Sequence, residues 1–194
     1  RVLLPSISPD GKYIAYIAGE FGSRSLVVRQ IATDSTVTVV PPTNLNLQSI
    51  TFSPTGDYVY YTQTSTDFAI NTLYQVPTLG GTPKKLIEDV DSAVTFSPDG
   101  KQFAFMRHKS DTNEDVIFTV NTETLAMEPL ISTKDTDYSF FSARLAWAPD
   151  GRSILAGAGK RQSGFVANTD VAEILISEKK IRPLNRREFY FITN

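Results

Sequence analysis

The sequence predicts an all-β fold, a β-propeller of four-stranded antiparallel blades with four blades present. Three observations carry that expectation. One turn motif recurs four times at a spacing in the forties. The segments on either side of it are rich in aromatic and β-branched residues, which suit a pleated strand and are mediocre in helices. No stretch of about 11 residues sustains a helical period.

The motif Ser8-Pro9-Asp10-Gly11 returns as Ser53-Pro54-Thr55-Gly56, Ser97-Pro98-Asp99-Gly100 and Ala148-Pro149-Asp150-Gly151, with the prolines 45, 44 and 51 residues apart. Such a period suits a propeller blade or a two-helix solenoid repeat. Two positions before each proline stands a large residue (Ile7, Phe52, Phe96, Trp147), and three after each glycine stands another (Ile14, Val59, Phe103, Ile154). Between them, proline presets φ, aspartate bonds back to nearby backbone N–H groups, and glycine accepts a positive φ. A tight turn between two strand-forming segments is a hairpin, which removes the solenoid reading.

Each module supplies two more strands. The third is expected at 26–29, 73–76, 116–120 and 173–176, and the fourth at 37–40, 84–87, 127–131 and 181–184. The inner strands are apolar on both faces, as a sheet packed between two neighbouring sheets requires. That pattern favours a propeller over a sandwich or a barrel. The repeats are expected to span approximately 1–46, 47–90, 91–141 and 142–194 of one partial propeller domain. The fourth is the longest, with 157–164 read as a flexible loop after its second strand.

Bulk properties narrow the function classes. The 194 residues are 41% hydrophobic and 21% charged, with net charge −2, so no chain-wide field favours nucleic acid or an anionic membrane. No apolar run approaches the roughly 18 residues of a spanning helix, so no direct membrane insertion is expected. There is no cysteine, which excludes disulfides, thiolate metal sites and cysteine nucleophiles. The opening at Arg1, with neither methionine nor a signal pattern, reads as an excised piece of a longer protein. Four blades being near the lower limit for closure, the chain is expected to be about half of a larger propeller, its end faces packing on missing blades or on a second copy.

Catalytic, cofactor-binding and metal-ligating residues are all expected to be none. His108, the only histidine, sits among Met106, Arg107 and Lys109 and reads as a loop residue. No Gly-x-Ser-x-Gly elbow or phosphate loop occurs, and the stretch 19–22 reads simply as a loop. Asp10, Asp99 and Asp150 occupy one repeated place in a turn, so turn-making comes before chemistry. With Pro9, Gly11, Pro54, Gly56, Pro98, Gly100, Pro149 and Gly151 they form the structural set. The acidic run Glu88-Asp89-Val90-Asp91 could hold a hard cation through oxygen ligands, but it reads better as a solvated loop. The basic pairs are scattered and interleaved with acids, unlike a nucleic-acid stripe. The aromatic joints, with Tyr138, Phe140, Phe141, Phe189 and Tyr190, are the candidate partner-binding residues; burial between blades is the competing reading.

The string 96–105, Phe-Ser-Pro-Asp-Gly-Lys-Gln-Phe-Ala-Phe, resembles the repeat of the TolB-like, WD-repeat-like propellers, and the copies beginning at Ile7, Phe52 and Trp147 are close variants. That repeat is found in periplasmic TolB and in propellers that gate prolyl-oligopeptidase-type peptidases. It also occurs in bacterial sensor proteins that join a kinase or a winged-helix domain to a propeller through a membrane span. The segment 180–190 is similar to the joint before a further blade in those sensors. Thr55 departs from the turn aspartate and Ala148 from the turn serine. The resemblance implies a non-catalytic binding module outside the bacterial cytoplasm, part of a longer, membrane-anchored protein. Protein or peptide partners are expected, as is self-association through exposed end blades. The alternative is the gating propeller of a prolyl-oligopeptidase-like serine peptidase.

Overall fold

The computed structural model describes residues 2–64, 70–162, 165–166 and 170–184. The chain divides into two compact units, Arg1–Ala93 and Val94–Asn194. The first unit holds two antiparallel sheets. One runs β1 (Val2–Ile7), β2 (Tyr13–Ala18), β3 (Arg24–Gln30), β4 (Thr36–Thr43), and the other β5 (Asn46–Phe52), β6 (Tyr58–Thr64), β7 (Asn71–Pro77), β8 (Lys84–Glu88). In the second unit, one sheet comprises β9 (Thr95–Phe96), β10 (Gln102–Lys109), β11 (Glu114–Asn121) and β12 (Met127–Ser132). A 3-10 turn, Thr133–Asp135, leads to the other: β13 (Tyr138–Trp147), β14 (Ser153–Gln162), a short β15 (Phe165–Val166) beside β14, β16 (Asp170–Leu175) and β17 (Lys180–Pro183). Every sheet is a meander, each long strand pairing with the next in the chain. These are blades of a β-propeller, as the turn spacing predicts.

Outer edges of sheets invite unwanted pairing, and this chain blunts each of them. Pro41 and Pro42 lie in β4, Pro129 in β12 and Pro183 in β17, while β8 opens with Lys84 and Lys85. Proline removes a ladder donor, and lysine keeps a second strand away by charge and solvation.

Within the first unit the core lies between the two sheets. Ala15, Ile17, Leu26 and Val28 pack in one cluster with Phe52, Val59, Tyr61 and Val76. Each of the isoleucine, leucine, valine and phenylalanine side chains contributes about 1.5–3 kcal/mol through removal from water. The Tyr61 and Tyr74 rings stack at 5.5 Å, and burial pushes the Tyr61 hydroxyl well above its ordinary range. The opposite face of the first sheet is different. Ile7 pairs with Ile14 on that side and is 61% exposed, whereas Phe52, at the same place in the next repeat, is 5% exposed. Accordingly β2 and β3 alternate between buried and half-buried residues, while β6 is buried almost continuously.

In the second unit Ala104, Ile117, Leu130 and Ile131 pack with Phe140, Leu145, Ile154, Ala156, Ala172 and Ile174. Phe105 and Phe118 stack at 5.6 Å, and the Arg107 guanidinium lies 5.5 Å and 5.2 Å from their ring centres. The expected loop at 157–164 is corrected here. Residues 157–162 belong to β14, while 163–164 lie outside the described residues. The ladder explains the difference. Ala158 pairs with Phe140 on one side and Asp170 on the other, Gly157 with Val171, and Gly159 and Lys160 with Ser139 and Tyr138, so ladders to β16 and β13 override the weak strand propensity of glycine and lysine.

Candidate functional site

The repeated turn is built around one serine hydroxyl. Ser8 Oγ donates to Asp10 Oδ1 at 2.7 Å and accepts from Tyr13 N at 2.9 Å, while Lys12 N donates to the same carboxylate oxygen at 3.1 Å. Gly11 N closes the turn on Ser8 O at 2.9 Å with φ +70°. The third copy repeats this almost bond for bond. Ser97 donates to Asp99 at 2.7 Å, Lys101 N to Asp99 at 3.1 Å, and Gly100 N closes on Ser97 O at 2.9 Å. The Ser8 hydroxyl, then Lys12 N–H, hold the Asp10 carboxyl down to about 2, and Ser97 likewise lowers Asp99. Pro9, Pro54, Pro98 and Pro149 occupy the second position of these turns, with Gly56 at φ +79° and Gly151 at φ +73° in the other two copies.

The two departures keep the turn by other means. Thr55 Oγ1 meets Ser53 Oγ at 3.3 Å, and Tyr58 N still donates to Ser53 Oγ at 3.1 Å. In the fourth copy Ala148 has no hydroxyl. Arg152 N nonetheless donates to Asp150 Oδ1 at 2.9 Å, and the Trp147 indole N–H reaches Gly151 O at 3.3 Å.

At the opposite end of the sheets lie the loops joining second to third strands and one sheet to the next. The candidate aromatics map there unevenly. Tyr138 opens β13 half-buried against the core of the second unit, and Phe140 is buried within that core. Phe141 lies in β13, its side chain outside the description, and Phe189 and Tyr190 fall outside the described residues. His108 stands opposite Asp115 across the β10–β11 ladder, its Nδ1 2.7 Å from the carboxylate. The acidic run is dispersed: Glu88 pairs with Lys85, and Asp91 accepts from Asn71 Nδ2 at 3.0 Å. Among the described residues no three histidine, aspartate or glutamate side chains come together as a metal site.

Two arrangements at this end were not legible in the sequence. In the second unit Glu114, at the start of β11, is nearly buried. It accepts from Ser132 Oγ, from Thr112 Oγ1 at 3.1 Å, and pairs with Lys134 Nζ at 3.2 Å. The Ser132 hydroxyl, with Lys134 and Thr112, holds its carboxyl below the usual range against the upward push of desolvation. Arg161 donates to Thr133 O and Thr136 O, and Thr133 Oγ1 accepts from Asp115 N at 3.0 Å. The connection 133–137 is thus clamped from β11 and β14. In the first unit the stretch read as a plain loop is a tight turn, with Gly19 at φ +105° and Ser23 N donating to Glu20 O at 3.0 Å. It carries Phe21, 68% exposed, and the Arg24 guanidinium lies 5.5 Å from that ring. Arg24 Nη1 donates to Asn46 Oδ1, while its Nε is buried without an acceptor among the described residues. Beside it Gln48 Nε2 donates to Thr64 Oγ1 at 2.6 Å, and Thr64 donates to Asn71 Oδ1 at 2.8 Å.

No family model matches the chain. It is 31% identical to the TolB homolog of Chlorobium chlorochromatii over 54% of this chain and 23% of that protein. The crystal structure of TolB from Acinetobacter baumannii superposes with TM-score 0.74 at 24% identity, over 95% of this chain and 43% of that one. The chain carries TolB-like β-propeller repeats. A putative TolB from Agrobacterium tumefaciens matches with TM-score 0.71 at 20% identity, over 96% of this chain and 62% of that one. The same repeats also superpose on a putative dipeptidyl aminopeptidase IV from Bacteroides ovatus, with TM-score 0.71 at 13% identity, over 91% of this chain and 32% of that one. At these identities the solved structures bear on the fold alone. The chain spans about a quarter of the curated TolB homolog's length and under half that of the Acinetobacter protein.

Proposed function

We propose that the chain is a non-catalytic β-propeller binding module, mediating protein interaction or ligand sensing in the bacterial cell envelope as part of a longer, membrane-anchored protein. The observation that carries this reading is the 31% identity to a TolB homolog within the repeat region. The architecture supports it, since blades held by short turns at one end leave a rigid set of loops at the other, suited to recognition rather than chemistry. The repeats 1–46, 47–90, 91–141 and 142–194 are blades of one partial propeller in this reading, and the Pro-Asp-Gly turns, with Pro-Thr-Gly in the second, serve as its fasteners. Protein or peptide partners are engaged from the loop end. The exposed Ile7 face takes a further blade of the parent protein or a second copy of the chain. Purified chain cross-linked in the envelope fraction of its host should recover a defined protein; recovery of none would count heavily against the reading.

A second reading is favoured by one observation, the superposition on a putative dipeptidyl aminopeptidase IV and, with TM-score 0.69, on prolyl endopeptidases. There the repeats gate peptides toward a hydrolase domain outside this chain, which itself lacks a Gly-x-Ser-x-Gly elbow. Sequencing the gene beyond both ends separates the two: a downstream nucleophile-elbow domain selects the peptidase gate, and an upstream membrane span with a kinase or winged-helix domain selects the sensor.

A further inference from the structure

We propose that the turn carrying Phe21, together with Arg24, is a docking point for an extended peptide segment of a partner protein, one with an acidic residue two positions from an apolar one. The proposal rests on the protein-interaction reading and names the chemistry of the partner. Phe21 is the most exposed aromatic side chain among the described residues, and it is not on a loose loop. A Cβ on Gly19 would lie 2.4 Å from Ser23 O, so the turn closes too tightly for any other residue. Gly22 at φ +87° and the Ser23 N to Glu20 O bond complete it. An aromatic held this way is ordered before binding, which removes much of the entropic cost of docking.

Arg24 supplies the charge. Its Nη1 is used by Asn46, a neutral acceptor, and among the described residues its Nε has no acceptor and no carboxylate pairs with it. A buried N–H left without an acceptor is destabilising, so the guanidinium holds unmet donor capacity. A carboxylate approaching side-on would satisfy Nε and a terminal nitrogen at once, once the groups that now cover Nε are displaced. The ring–guanidinium separation of 5.5 Å sets the spacing of the ligand. Side chains i and i+2 of an extended strand project from one face about 7 Å apart, close enough for one to lie on the Phe21 ring and the other to reach the guanidinium. The other charge on the turn is exposed Glu20, which opposes an acidic ligand and so makes a prediction of its own.

The test titrates the ¹⁵N-labelled chain with an acetylated, amidated serine pentapeptide carrying leucine at its second position and glutamate at its fourth. A control peptide has glutamine in place of the glutamate. Binding at about the millimolar level is expected, with shifts at the amides of Gly19 to Arg24 and Asn46. Arg24→Gln and Phe21→Ala should each weaken it roughly tenfold, and Glu20→Gln should tighten it roughly twofold. Phe21→Ala removes an exposed ring and leaves the fold intact, so its loss of binding is readable even if Arg24→Gln is unstable. Equal shifts with the glutamine peptide, or no shifts in the turn, overturn the docking point. If the chain recovers an envelope partner that Phe21→Ala and Arg24→Gln recover equally well, the docking point falls and the binding module stands. If neither the chain nor its variants recover one, the module reading falls.

Discussion

Ser97 Oγ donates to Asp99 Oδ1 at 2.7 Å, and the same bond at the same length joins Ser8 to Asp10, 89 residues earlier in the chain. In both copies that hydroxyl also accepts an N–H from the following strand, so one atom ties the turn aspartate to the first ladder position. Removing it orphans a buried-turn donor and loosens the aspartate together. Ser97→Ala should cost about 1 kcal/mol, read as a lower urea midpoint. The fourth copy, which has Ala148, shows why the loss is survivable: Asp150 keeps its backbone N–H, and Trp147 adds a bond to Gly151 O. An unchanged midpoint would mean the hydroxyl merely fills space.

The same turn predicts a pH dependence. The Asp10 carboxyl is at about 2 in the folded chain against 3.8 ordinarily, so folding favours its ionised form. Its contribution to stability is therefore complete above about pH 4 and is lost as the pH falls through 2. Asp10→Asn should lower the unfolding midpoint at pH 7, and the gap from the unaltered chain should close between pH 4 and pH 2. A constant gap across that range would show that the ionised form has no special stabilisation.

The turn was legible because its chemistry is local. Proline, aspartate and glycine act within four residues, so the motif placed every first hairpin, and the strand-forming residues on either side of it settled the fold class. The end of the sheets that bears the loops was not legible. Glu114 draws its partners from Thr112, Ser132 and Lys134, and Arg24 meets Asn46 22 residues away, which only the folded chain brings together. The stretch 157–162 differs from its expected loop for the same reason, since Gly157 is held by Val171 and Gly159 and Lys160 by Ser139 and Tyr138, partners distant in sequence.

Glycines at positive φ in this chain are of two kinds, and substitution separates them. Around Gly11, at φ +70°, a Cβ meets nothing within 4 Å, so Gly11→Ala bears only the left-handed backbone penalty of about 1–2 kcal/mol. At Gly19 the Cβ also collides with Ser23 O, and the turn must open. Gly19→Ala should therefore destabilise more than Gly11→Ala and should broaden the amide resonances of Phe21 and Arg24. Equal costs for the two variants would place the turn's rigidity elsewhere.

Glu114 is the nearly buried carboxylate that holds the connection 133–137. Replacing it by glutamine leaves Lys134 without its partner and weakens the bond from Ser132, whose Oγ also caps the 3-10 turn by accepting Lys134 N at 3.0 Å. Hydrogen exchange should accelerate at Lys134 in Glu114→Gln, while the amides of β10, two strands from the connection, keep their protection. Acceleration spread evenly over the second unit would mean that Glu114 stabilises the unit as a whole rather than the connection.

Ile7 and Phe52 hold the same place in successive repeats, yet one is open to solvent and the other is packed in the first unit's core. The difference is whether another sheet covers that face, not the residue's own chemistry. Phe52→Ala should cost about 3–5 kcal/mol, the loss of a buried ring plus the cavity it leaves. Ile7→Ala, by contrast, should stay within about 0.5 kcal/mol in the isolated chain. If the Ile7 face serves as a seat for a further blade or a second copy, Ile7→Asp should leave the urea midpoint nearly unchanged while abolishing any concentration-dependent rise in mass by analytical ultracentrifugation. A midpoint that falls as far as that of Phe52→Ala would show that Ile7 is already covered in solution, and the exposed face would not be a seat at all.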